Sequence, residues 1–322
     1  MELMAVKASK VMVVMAVLWA ATASLAQTGS APAQTPAPSA TPQTQSGAST
    51  PAQGTPQTPP ANGSHKLLQP KSQAEYQAYL DASSKTDPAQ AEAAANDFAT
   101  KYPDSELRTA LYTRLMNLYA QANNTDKVID LGRKAIAADP TNPIPLVQVA
   151  SAMAESTRDT DLDREQRLAE AAKDAQAALD NLDTGLLLPA NADPVRVEGA
   201  KRSIRTMAYD TLGMVSLNRG DYASAEQNLQ KAIAESQANP EAVLYLRLSV
   251  AQDKLKQYPQ ALDSANKAVQ YAKEGSVAQS LAKQQQERLQ KLTGAQAPAG
   301  STATPSPAPA PSPQPNASST PH

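Results

Sequence analysis

The sequence predicts an all-α protein built from tandem helix–turn–helix repeats that stack into a solenoid. The first observation is a period of 36 residues, with which Tyr209, Leu212, Ala225 and Ala232 recur as Tyr245, Leu248, Ala261 and Ala268. The second is that Pro103 and Pro140 close consecutive units 37 residues apart. Such a period is typical of helical repeats, in which each unit buries its apolar face only against its neighbours.

Composition argues against several classes of function. The 322 residues carry a formal charge of -2, so no basic excess indicates a nucleic-acid partner. The chain has no Cys, and its two histidines, His65 and His322, lie in low-complexity flanks. The repeats therefore lack the commonest nucleophile–base pairs and zinc ligands. We expect no cofactor, no metal site and no enzymatic activity.

The first 26 residues are typical of a secretory signal peptide. Lys7 and Lys10 precede a short apolar run, which ends at Ser24-Leu25-Ala26 with small residues at the -3 and -1 positions. The alternative is an uncleaved membrane anchor, but the run is shorter than the roughly 20 residues that a membrane span needs. We therefore expect an exported protein, periplasmic or secreted, with no stable membrane span after cleavage.

Two flanking segments, 27–69 and 295–322, are predicted to be disordered. They are rich in Pro, Ala, Thr, Ser and Gln, and 27–64 has no charged side chain. Such segments bury too little apolar surface to offset the entropy of ordering. Whether they act as spacers or are passive tails stays open.

The repeat domain is predicted to span 70–294. Ser72 and Glu75 form a capping box for a first helix that runs to about residue 84. Asp87-Pro88 supplies an N-cap and a first-turn proline for the second helix. In the next unit, Asn123-Asn124 is the predicted turn and Thr125 the predicted N-cap.

The third unit is predicted to be irregular. A helix over Pro143 to Glu155 is followed by the polar segment Ser156 to Arg164 and a partner helix over Glu165 to Leu182. Asp193-Pro194 starts a helix that reaches about Asn218, either continuous or broken near Gly199. The last predicted helix, 276–292, is rich in Gln, Lys and Glu, as the outer face of a terminal repeat requires.

The spacing of these residues resembles the tetratricopeptide repeat (TPR) family. That family has an aromatic residue at position 4, Leu at 7, Gly at 8 and Ala at 20 and 27 of each unit, which Tyr209, Leu212, Gly213, Ala225 and Ala232 match. The resemblance implies a right-handed superhelix whose first helices line the concave face. It also implies small residues at positions 8 and 20, where the helices of a unit cross.

The resemblance places a candidate partner-binding groove on the concave face. Its residues are Thr113, Asn117, Gln121, Met207, Asp210, Met214, Leu217, Val243, Leu246 and Val250. The family's clamp for carboxyl-terminal peptides is not expected, since Asn117 alone matches it. The Met, Leu and Val side chains suggest an apolar strip, which is either a docking surface or covered by the long helix from Pro194 or by the last helix.

Two charged clusters have simpler interpretations. Lys201, Arg202 and Arg205 are expected to form a solvated helix face. The acidic residues of 159–165 alternate as in a calcium loop, but the required Gly and terminal Glu spacing are missing. We expect no cation there.

The sequence therefore predicts a non-enzymatic adaptor or scaffold that holds protein partners of the bacterial cell envelope, or peptide segments of them. The alternative is a periplasmic holdase or secretion and assembly accessory that binds apolar segments of client proteins through the strip.

Overall fold

The computed structural model describes residues 66–67, 69–188, 192–236 and 240–296. Its helices are α1 (Gln73–Ser83), α2 (Pro88–Lys101), α3 (Leu107–Gln121), α4 (Thr125–Ala138), α5 (Pro143–Ser156), α6 (Arg164–Asp180), α7 (Pro194–Arg219), α8 (Tyr222–Glu235), α9 (Ala242–Lys254), α10 (Tyr258–Tyr271) and α11 (Val277–Gln296). Two short strands, β1 (Lys66–Leu67) and β2 (Leu187–Leu188), pair in parallel. The predicted signal peptide and most of both predicted disordered flanks lie outside these ranges.

The helices pack in order along the chain. Each helix from α1 to α10 contacts the next one. Apart from an ion pair between α5 and α9, the other extensive helix contacts join helices two places apart, such as α5 with α7 and α9 with α11. Contacts limited to near neighbours define a solenoid. The predicted all-α, TPR-like repeat fold is thereby confirmed.

Polar side chains begin most of the helices, as the sequence predicts. Ser72 accepts from the backbone N–H of Glu75 at 3.1 Å, and Asp87 accepts from that of Gln90 at 2.9 Å. The predicted cap Thr125 is wrong by one residue. Asn124 accepts from the N–H of Lys127 at 3.1 Å, and Thr125 is already the first residue of α4. The longer Asn side chain takes the role because Asn123, with φ of 55°, turns the chain one residue earlier.

The helices of a unit cross at a small residue. A Cβ atom on Gly213 would lie 2.7 Å from Cγ of Leu229, so α7 and α8 meet there. In the α3–α4 pair the sizes are exchanged: Met116 occupies the position of Gly213, and Gly132 that of Leu229. A Cβ on Gly132 would lie 2.9 Å from Cε of Met116. The crossing requires one small partner, on either helix.

The irregular third unit is anchored by its loops. The turn between α6 and α7 packs so closely on the turn before α5 that a Cβ on Gly185 would lie 1.9 Å from the carbonyl oxygen of Thr141. The same loop carries β2, which pairs with β1, so residues just before the first repeat reach the third. The helix α7 runs without a break through Gly199 for 26 residues.

The buried core is divided into several clusters along the solenoid. Apolar side chains of α1 to α6 share one buried cluster, to which Met214 and Val215 of α7 also belong. In α5, every residue from Pro143 to Ala154 is buried. The last helix, α11, buries Ala282, Gln285 and Leu289, whereas most of its charged and other Gln side chains are exposed.

Candidate protein-binding surface

The first helices of the units lie on the inner side of the curved array. First helices contact one another directly, as in the pairs α1–α3, α5–α7, α7–α9 and α9–α11, whereas no pair of successive second helices makes comparable contact in the described residues. Helices on the inside of a curve are closer together than those on the outside. The predicted groove residues all lie on first helices, so this inner face is the surface that they define.

The part of the inner face formed by α3 carries polar groups without partners. Thr113 and Asn117 are half-buried and Gln121 is exposed, and their spacing of four puts them on one side of the helix. Thr113 Oγ1 and Asn117 Oδ1 are shielded from solvent and have no hydrogen-bond partner among the described residues. Each such atom costs roughly 1–3 kcal/mol unless something bonds to it.

Gln148 adds to this polar set from α5. It is 0% exposed, and neither Oε1 nor Nε2 has a partner among the described residues. Glu155, two turns later on the same side of α5, lies 3.8 Å from Arg247 of α9. Because α7 stands between α5 and α9 in the array, a contact between them has to pass along the inner side. Gln148 therefore belongs to the inner face.

Further along, the inner face is closed by a buried ion cluster, called here the Arg247 cluster. Arg247 Nη1 donates to Asp210 Oδ2 at 2.6 Å, and Glu155 is the third member. Burial alone lowers the pKa of Arg247, but the attraction of Asp210 and Glu155 outweighs burial and raises it. Asp210, a predicted groove residue, is thus engaged in joining α5, α7 and α9.

The apolar strip predicted on this face is largely packed inside the solenoid. Met207, Met214 and Leu246 are 8%, 8% and 2% exposed. Met214 lies in the core cluster of the first units, and Leu246 packs against Leu281 and Ala282 of α11. Leu217, Val243 and Val250 are partly buried. These side chains therefore contribute mainly to contacts between units.

Contacts between units also use charged and phenolic groups. Tyr119 donates to Glu92 at 2.6 Å, and Lys127 binds the same carboxylate at 2.8 Å. Desolvation alone raises the pKa of Glu92, but the hydrogen bonds from Lys127 and Tyr119 outweigh desolvation and lower it. The bond to Glu92 raises the pKa of Tyr119 to about 12. These groups fix α2 against α3 and α4.

Asp174, on the second helix α6, is in surroundings that disfavour its ionised form. Burial raises the pKa of Asp174 on α6 to about 6, and the neighbouring Glu170 adds to the rise. Glu170 itself pairs with Arg133 of α4 at 3.1 Å. Asp174 therefore disfavours the folded state at neutral pH.

The predicted basic cluster is partly engaged in ion pairs. Lys201 binds Asp183 at 2.8 Å, Arg205 binds Glu235 at 3.1 Å, and Arg202 is exposed.

Within the described ranges, no group of three or more acidic or His side chains is arranged to hold a metal ion. Asp161, in the predicted acidic loop, accepts from the backbone N–H of Arg158. In the same part of the chain, no helix has the length and apolar character that crossing a membrane requires.

The sequence did not single out Gln148 or Arg247. Gln148 could have been found, because it interrupts an apolar run that is buried on every side. Arg247 gave no such signal, since its partners lie 37 and 92 positions away along the chain.

The solenoid and its inner face define a TPR-like helical-repeat protein. No family model matches the chain, and no curated protein matches it either. Among solved structures, the chain is similar to PilW, which is described as a widely conserved type IV pilus biogenesis factor. The identity is 17%, the match covers 71% of this chain and 96% of that one, and the TM-score is 0.44.

Proposed function

We propose that the protein is an exported, non-enzymatic adaptor that binds an extended segment of an envelope protein along the inner face of α3, next to α5. The observation that carries this proposal is the set of unsatisfied polar atoms on Thr113, Asn117 and Gln148. Buried polar groups in native proteins nearly always have a partner, so these atoms call for one from outside the repeats.

The chemistry of these polar side chains favours a ligand that presents its peptide backbone over a ligand that presents a charged group. Carboxamides and hydroxyls both donate and accept, which matches the N–H and C=O groups that an extended segment presents. Further along this face, the cation of Arg247 is already held by Asp210. The holdase alternative depends on an accessible apolar strip, whereas Met214 and Leu246 are buried.

Site-specific photo-crosslinking in cells tests this proposal. A photoreactive residue at Gln121, exposed on the inner face, should capture a partner of defined mass. The matched position is Asp97, which is exposed on the second helix α2. Asn117→Arg, which places a bulky charge among the polar atoms, should reduce capture from Gln121 at least about tenfold.

Equal capture from Gln121 and Asp97, or capture unaffected by Asn117→Arg, would contradict the proposed surface. Export is tested separately, by fractionating cells that produce the chain with and without the predicted signal peptide 1–26. Retention of both forms in the cytoplasm would contradict export but leave the binding surface untouched.

A further inference from the structure

An open cleft lies on the outer side of the solenoid, between the second helices α8 and α10. Its floor is formed by the first helix α9. The lining side chains include Gln230, Ile233, Tyr245, Leu248, Pro259 and Lys267. The cleft differs from the inner face in its position. It is bounded by two second helices, whereas the inner face is formed by first helices.

The two sides of the cleft are not joined by the hydrogen bond found in an earlier pair of second helices. Between α2 and α4, Lys134 donates to Asn96 at 3.3 Å. Gln230 and Lys267 occupy the same two repeat positions in the α8–α10 pair, as counted from the aligned alanines of the repeats. Gln230 instead donates to Glu226 of its own helix at 3.3 Å, and Lys267 pairs with Asp263 of its own helix at 2.8 Å.

The lining favours an uncharged, extended ligand. Lys267 and Asp263 neutralise one another, so the cleft offers no unpaired charge from this pair. Tyr245 stacks with Tyr271 at a centroid distance of 5.4 Å, and Tyr271 is 40% exposed. Aromatic-lined grooves with neighbouring hydrogen-bond donors are the surfaces on which polyproline II segments dock, since such segments lose little entropy on binding.

The chain delivers such a segment to the end of the cleft. Leu289 and Leu292 of α11 pack with Tyr258, so the end of α11 lies beside the start of α10. Pro259, the next residue of α10, lines the cleft. Residues 297–322, which follow Gln296, include eight prolines and no Asp, Glu, Lys or Arg.

We infer that the proline-rich segment 297–322 docks in the α8–α10 cleft of its own chain. Its 26 residues reach about 80 Å at roughly 3.1 Å per residue, several times the length of α10. A tether of this length gives a local concentration near the millimolar range, so even a weak contact is populated. The segment thereby covers the apolar lining of the cleft.

The absence of native Cys allows a direct test by disulfide trapping in the full chain. Gln260→Cys places a thiol at the cleft, and Ser312→Cys places one in the segment. The matched control pairs Ser312→Cys with Gln290→Cys, exposed on α11 and much closer along the chain to residue 312. A free segment would react faster with position 290. Docking predicts that intramolecular trapping at position 260 is at least about tenfold faster.

A second variant separates docking from incidental proximity. Replacing the six prolines from Pro305 to Pro315 with Gly keeps the segment uncharged but removes its preference for polyproline II, and it should abolish the advantage of position 260. Trapping that favours position 290, or an advantage that survives these replacements, overturns the proposal. Disulfide-linked dimers would show that a second copy supplies the segment and would also overturn it. Asn117→Arg should leave the trapping unchanged, so the inner-face proposal is tested separately.

Discussion

Two glycines of α7 allow the packing at the crossing to be separated from helix propensity. Gly213 meets Leu229 of α8, and Gly199 has nothing within 4 Å of where a Cβ would lie. Both are helical with φ outside the left-handed region. Replacement by Ala therefore gives each the same helix-propensity gain, about 0.5–1 kcal/mol.

Only Gly213→Ala also forces an overpacked contact. Its Cβ would lie 2.7 Å from Cγ and 3.0 Å from Cδ2 of Leu229, which is 0% exposed and cannot swing into solvent. Overpacking of this kind typically costs about 1–3 kcal/mol. We expect Gly199→Ala to raise the free energy of unfolding by about 0.5–1 kcal/mol. The free energy of unfolding of Gly213→Ala should be about 1–3 kcal/mol lower than that of Gly199→Ala, so that this variant is less stable than the unchanged protein.

Urea unfolding followed by circular dichroism measures both values, provided that the two variants give the same m-value. A repeat array can unfold in parts, so a changed m-value would indicate loss of cooperativity between units. If both variants are stabilised equally, the helices do not meet at Gly213 and the proposed crossing is wrong. As a further check, Gly213→Met combined with Leu229→Gly reproduces the Met116–Gly132 arrangement, and it should destabilise less than the sum of the single changes.

Three other variants test the electrostatics and capping. Asp174→Asn should stabilise the fold by about 1 kcal/mol at pH 7, after allowance for solvent screening. Because the folded pKa of Asp174 is raised from 3.8 to about 6, the charge penalty is absent below about pH 4 and develops as pH rises through 6. The gain should therefore vanish in thermal melts at pH 4. Arg247→Met should destabilise by about 3 kcal/mol or more, since it leaves buried carboxylates without their cation, whereas Arg202→Met, at an exposed position of α7, should change stability by less than about 0.5 kcal/mol. Asn124→Ala should cost about 1 kcal/mol as the loss of an N-cap, and Thr125→Ala much less, in the same urea assay.

Local chemistry explains why the repeat fold could be predicted from sequence. Ser72 and Asp87 start helices whatever the surroundings, because their side chains accept from backbone N–H groups two or three residues on. The pairs Met116–Gly132 and Gly213–Leu229 each place one small and one large residue at the crossing. The single-residue error at Thr125 arose because Asn and Thr are both competent caps and the turn geometry decides between them.

Contacts between distant units could not be predicted in the same way. The Arg247 cluster joins three first helices, and its formation depends on how sharply successive units curve. The burial of Met207 and Met214 depends on the same curvature, which no residue pattern specifies. The pairing of Leu67 with Leu188 involves two residues in segments without any strand periodicity. For this reason the repeat pattern predicts which helix carries each candidate groove residue, but it does not predict how far that residue is exposed.

Curvature is also what distinguishes the two proposed surfaces. It brings several pairs of first helices into contact, and polar atoms of α3 and α5 on this side are buried without a hydrogen-bond partner among the described residues. It separates second helices, so that each gap between them has to be bridged by side chains or filled. Lys134 bridges one gap to Asn96, whereas Lys267 turns to Asp263 and leaves its gap open. The partners at these two repeat positions therefore distinguish the α2–α4 pair from the α8–α10 pair, where the proposed docking cleft lies.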